Sequence, residues 1–138
     1  MKTKNIVIIG LIVITNIVAC KKDDTTPTTP STGITRNDYF GSWSCTEIPV
    51  AKNQYFDCTI SADANVINNI KITNFANLNG TAFAIVNGKS VVLPVQTISN
   101  NTFEGYGTLD NSKNLITWHY YVKTNTDSTV CNTTFNRK

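Results

Sequence analysis

Residues 81–98, TAFAIVNGKSVVLPVQTI, decide the fold class. Apolar side chains fall on every second position of two runs, 81–86 and 89–97, joined by Asn87-Gly88, residue types that accept the positive φ of a two-residue type I′ turn. Period two sends successive side chains to opposite faces of an extended strand, whereas a helix would need apolar residues three and four apart. The segment predicts an antiparallel hairpin, with Phe83 and Ile85 on one strand and Val91 and Leu93 on the other facing the interior.

The same alternation continues on both sides of the hairpin. Short apolar runs punctuated by Asn, Gly, Asp and Ser give further strands near 41–47, 54–61, 66–74, 102–109, 114–123 and 128–136, eight with the hairpin. Asn79-Gly80, Asn100-Asn101, Asp110 to Asn114 and Asn125 mark the turns. Each strand then pairs with its sequence neighbour, and an eight-stranded meander removes its exposed edges by joining first strand to last. The fold class is therefore all-β: an antiparallel up-and-down meander closing as a small barrel. Its expected inward set is Trp43, Cys45, Phe56, Cys58, Ile60, Ile70, Ile72, Phe83, Ile85, Val91, Leu93, Phe103, Leu109, Ile116, Trp118, Tyr120, Val122, Cys131 and Phe135. Gly105 and Gly107, two apart on one face, relieve crowding or let a strand bend.

The N-terminus reads as an address. Lys2 and Lys4 precede an apolar run from Ile6 to Val18, and the run stops at Lys21-Lys22-Asp23-Asp24, short of the roughly 20 residues needed to span a bilayer. Ile17-Val18-Ala19-Cys20 resembles the lipobox of bacterial lipoproteins. That resemblance implies cleavage after residue 19, fatty acyl chains such as palmitate on Cys20, and a membrane partner reached through those chains, since two or three chains anchor stably where one is marginal. Cys20-Lys21-Lys22-Asp23-Asp24 is similar to the export tags of Bacteroidetes lipoproteins and implies the outer membrane, with the cell surface as the exposed side. TTPTTPSTG, residues 25–33, holds no apolar residue and reads as an extended tether. The expected organisation is 1–19 signal peptide, 20–37 lipidated cysteine and disordered tether, and 38–138 one barrel domain. Asp24-Thr25-Thr26 and Asp127-Ser128-Thr129 resemble the O-glycosylation acceptor of the same phylum, which makes Thr25 and Ser128 candidate sites.

The domain itself resembles small Bacteroidetes lipoproteins with a lipocalin-like domain. The resemblance rests on Phe40-Gly41-Ser42-Trp43, Ile72-Thr73-Asn74-Phe75, Leu93-Pro94-Val95-Gln96, Phe103-Glu104-Gly105-Tyr106-Gly107 and Cys131-Asn132-Thr133-Thr134-Phe135. Gly41-Ser42-Trp43 echoes the Gly-x-Trp that opens lipocalin barrels, where the tryptophan closes the barrel floor. The family supplies a fold more than an activity.

Three cysteines remain after lipidation, an odd number for an oxidising compartment. A hairpin centred between Ala51 and Lys52 sets Cys45 opposite Cys58, whereas the resemblance implies Cys45 paired with Cys131. Barrel closure leaves both neighbours flanking Cys45. The longer loop favours Cys131, at about 4 kcal/mol of stabilisation against about 3 for the shorter one. Without a Cys-x-x-Cys or a histidine cluster, no metal or other cofactor is expected.

Composition narrows function by exclusion. Loss of Lys2 and Lys4 with the signal leaves 10 basic against 9 acidic residues, and no basic run lies outside the tether, so nucleic acid is not an expected partner. No serine sits in a Gly-x-Ser-x-Gly setting, and the carboxylates fall singly, so no familiar catalysis is expected. His119, the sole histidine, faces solvent, opposite in phase to Trp118 and Tyr120. Glu47 and Glu104 could orient a ligand at the barrel mouth. Trp43, Phe56, Phe83, Phe103, Trp118 and Tyr120 are the candidate lining for a small hydrophobic ligand, and the outward half of the aromatic residues could stack on glycans or dock a surface protein. The expectation is a non-catalytic binding domain, with an inhibitor of a host lytic enzyme or an accessory adhesin subunit as alternatives.

Overall fold

The computed structural model describes residues 33–48 and 53–138. Cys20, Thr25 and the signal and tether segments lie outside those residues. The described chain forms eight strands, β1 (Gly41–Ile48), β2 (Gln54–Ala62), β3 (Asn69–Thr73), β4 (Thr81–Asn87), β5 (Ser90–Ile98), β6 (Asn101–Leu109), β7 (Leu115–Lys123) and β8 (Ser128–Arg137). All neighbours are antiparallel, and the barrel closes by β1 on β8, from Trp43 opposite Arg137 to Ile48 opposite Asn132. This is the up-and-down meander that the alternation implies, and its closure gives every strand a neighbour on both sides.

Two short 3-10 turns, which carry no period-two signal, plug the ends. Tyr39, in the turn Arg36–Tyr39, is fully buried, and its hydroxyl lies 3.0 Å from the carbonyl of Gly88 and 2.7 Å from that of Lys89. Its own carbonyl accepts from Trp43 Nε1 at 3.0 Å, and the Arg137 guanidinium lies 4.3 Å from the Trp43 ring. Arg137 also donates to the carbonyls of Phe40 and Lys113, both at 2.8 Å, and to that of Asp38. One cation thus ties the first turn, the β6–β7 turn and the closing seam together. At the opposite end Phe75, in the turn Phe75–Asn77, packs against Tyr120, Phe103 and Trp118 at centroid distances of 5.1, 5.6 and 6.2 Å.

The expected phase fails on β4. Phe83 and Ile85 are 41% and 44% exposed, while Ala82, Ala84 and Val86 are buried. The loop is Gly88-Lys89, with Asn87 paired to Ser90 and positive φ at Gly88 but not at Lys89, the pattern of a type II′ turn. Opposite residues in a two-residue hairpin share a face, and Ile85 lies opposite Val92, Val86 opposite Val91. With Val91 and Leu93 inward, the even positions of β4 must face inward too, which puts Phe83 outside. Inside, the alanines follow the small-and-large alternation of small barrels.

Two smaller differences follow from turn chemistry. β3 starts at Asn69 rather than 66, because Asp63 Oδ1 accepts from the Asn65 amide at 2.9 Å and the Val66 carbonyl from that of Asn69 at 3.0 Å, leaving Val66 and Ile67 exposed in the turn. Val122 is only half-buried at the rim of the core.

Candidate binding surface

Inside the barrel, most of the expected lining is core. Trp43, Phe103, Trp118 and Tyr120 are at most 1% exposed, and Phe56 packs edge-on against Phe135 at 6.3 Å. These rings pack against one another and against the end plugs. Phe83 belongs to the outer face and cannot line the interior.

One polar group lies within this core. Glu47, expected at the mouth, is buried, and the Tyr120 hydroxyl donates to its Oε2 while accepting from Thr133 Oγ1 at 3.3 Å. Burial and the neighbouring Glu47 push the Tyr120 hydroxyl well above the usual phenol range, and the same two causes push the Cys131 thiol up to about 12. Both groups are held in their neutral forms, so neither supplies a reactive phenolate or thiolate, and the cluster fixes the core.

The thiols do not sit as the resemblance implied. β1 faces β2 with Cys45 opposite Phe56 and Trp43 opposite Cys58, so Cys45 and Cys58 are diagonal neighbours on the inner face, with sulfurs 3.2 Å apart. Across the seam Cys45 faces Phe135, four residues along β8 from Cys131. At about 3.3 Å per residue that offset is about 13 Å, too far for the Cys45–Cys131 pairing. Ser128 is exposed at the start of β8, where its amide donates to Asp127 Oδ1 at 2.7 Å.

A feature with the geometry of a binding site lies outside. β5 and β6 pair regularly up to Leu93 opposite Gly105, then shift register at a bulge before Gln96 meets Phe103. Pro94, which has no amide hydrogen for the ladder, sits in that bulge and turns Val95 outward. Past the bulge β5 no longer pairs with β4, and the Gln96 side chain takes the place of the missing backbone. Its Oε1 accepts from the Phe83 amide at 2.8 Å, and its Nε2 donates to the Phe83 carbonyl at 2.7 Å and to that of Pro94 at 3.2 Å. The result is an open groove of about 450 Å³ whose walls include Val92, Val95, Glu104, Tyr106 and Tyr121.

Alternation on β6 and β7 supplies the rest. Glu104 and Tyr106 both face outward, opposite Tyr121 and His119 respectively. The His119 ring lies 5.3 Å from Tyr106 and 5.7 Å, edge to face, from Tyr121, making a continuous aromatic row. Its Nδ1 donates to Asn132 Oδ1 at 2.8 Å, which fixes the ring orientation. Tyr106 is 59% and Tyr121 45% exposed. Glu104 makes no ion pair among the described residues. On the far side, Ile85 opposite Val92 and Val92 opposite Tyr106 extend the apolar row to β4.

His119 was legible as an outward residue, since alternation sets its phase, whereas Glu104, expected at the barrel mouth, faces outward from the wall of β6. Tyr106, Val95 and Gln96 were not singled out, although a proline inside an otherwise regular strand is the sign of a bulge. A closed eight-stranded antiparallel barrel with a packed interior and an external aromatic groove is the class that fold and site define. Comparison of the chain with protein-family models and with curated proteins gives no match.

Proposed function

We propose that this chain is a lipid-anchored envelope protein whose barrel is a non-catalytic binding module, and that the groove over β5, β6 and β7 takes a carbohydrate chain. The observation that carries the reading is the pairing of two exposed tyrosine rings with the Glu104 carboxylate in a groove held open by a bulge. A pyranose presents an apolar C–H face and a rim of hydroxyls. Tyr106 and Tyr121 offer flat surfaces for the first, and the Glu104 carboxylate offers an acceptor for the second. A lipid anchor on Cys20 and a Thr/Pro tether would hold this face off the membrane, within reach of surface polysaccharide.

Glycan-array binding of the detergent-extracted protein tests the reading. Tyr106→Ala and Tyr121→Ala should each weaken binding about tenfold, equivalent to about 1.4 kcal/mol. Tyr55→Ala, at an exposed position on β2 outside the groove, should bind like the wild type. Equal loss in all three variants, or no glycan bound by the wild type, would refute it. Mass spectrometry of the native protein tests the anchor: an uncleaved chain without acyl groups would remove it.

A second reading, a small apolar ligand inside the barrel, draws on one observation. Trp118 Nε1 is the buried side-chain nitrogen that has no hydrogen-bond partner among the described residues. An interior ligand would have to supply an acceptor there, and it would co-purify and appear in native mass spectra.

A further inference from the structure

We infer that Cys45 and Cys58 are joined by a disulfide in the mature protein and that Cys131 stays a free thiol. Both cysteines face inward on adjacent strands, 1% and 3% exposed, and their sulfurs are 3.2 Å apart, closer than two unbonded sulfur atoms ordinarily approach. A bond of about 2.05 Å then needs a shift of only about 1 Å shared between two side chains. The right-handed twist of the β1–β2 ribbon is what draws one diagonal pair of inward residues together.

The alternatives fail on register. Cys131 lies four residues along the seam from the residue that faces Cys45. From Cys58 it is two strands away and about six residues along, because Cys58 faces Trp43 while Cys131 lies one residue beyond Asn132, which faces Ile48. Cys131 instead sits beside Glu47, which with burial keeps its thiol protonated and unreactive.

Formation of the bond removes one proton and one electron from each thiol. The two electrons pass by thiol–disulfide exchange to the disulfide of an oxidoreductase, which leaves as a dithiol. Because both sulfurs are buried in the finished barrel, exchange takes place while the β1–β2 hairpin is still uncovered.

The sequence makes the test direct. Cleavage after Arg36, Lys52, Lys71, Lys123 and Arg137 puts the three cysteines in separate tryptic peptides, 37–52, 53–71 and 124–137. Protein isolated from the cell envelope, denatured and alkylated without reductant, should give 37–52 linked to 53–71, two hydrogens lighter than the sum of the free peptides. Peptide 124–137 should carry the alkyl group. Cys131→Ser should leave that link in place, and Cys58→Ser should expose Cys45 to alkylation. Alkylation of all three peptides, or a link from 37–52 to 124–137, overturns the inference, and the wild-type map decides even if a variant fails to accumulate.

Discussion

Gly105 is the most crowded of the glycines in the strands. A Cβ there would lie 2.4 Å from the His119 carbonyl oxygen and 2.6 Å from the Tyr120 Cα, atoms of backbone that cannot swing aside. At Gly107 the nearest neighbour would be the Trp118 ring at 2.8 Å. Gly105→Ala should therefore destabilise the fold by about 2–3 kcal/mol, read from the midpoint of urea unfolding at unchanged slope. That the two glycines relieve crowding was legible from their shared face; which atoms crowd them was not, because it depends on how closely β7 approaches β6. Acid sensitivity also belongs to single residues. The Lys113 ammonium and the Thr35 amide hold the Asp38 carboxyl down at about 2. Asp110 is held at about 2 by the Ser112 hydroxyl and the amides of Leu115, Asn114 and Ser112. Both values lie below those of an unfolded chain, so the stability these groups add is complete above about pH 4 and is lost as pH falls through about 2. Asp38→Asn and Asp110→Asn should each flatten the fall in thermal midpoint between pH 4 and 2, measured by scanning calorimetry; an unchanged slope would refute the assignment.

Among the elements, the β4–β5 hairpin shows both the reach and the limit of alternation. The two runs, their antiparallel pairing and the short turn are written in residues 81–98. The phase of β4 is not, because Phe83 and Ile85 outweigh Ala82 and Ala84 in hydrophobicity while a two-residue loop dictates the opposite face. The bulge is a second case, since a side chain, not the backbone, bridges the gap it opens. Removing that bridge in Gln96→Ala deletes the two hydrogen bonds to Phe83 and should cost about 1–3 kcal/mol. The Phe83 amide should then exchange its hydrogen faster, while those of the β7–β8 ladder keep their protection. Glycan affinity should fall with the loosened groove wall.

For the molecule as a whole, closure follows from strand count and the need to hide edges, and both were legible. The plugs were not, because Tyr39 and Phe75 stand in 3-10 turns outside any strand pattern, yet both are fully buried. Their presence moves the functional expectation outward: rings first read as ligand lining instead fill the barrel, and the aromatic residues that line the groove are those on the opposite phase of β6 and β7. Binding on the outside of a closed barrel is the central claim, and it can be read directly. In a nuclear magnetic resonance titration with an array-selected oligosaccharide, the signals of Val92, Val95, Tyr106 and Tyr121 should shift while those of Ile70, Ile72 and Trp118 hold still. Shifts confined to the interior three, with the groove unmoved, would contradict it.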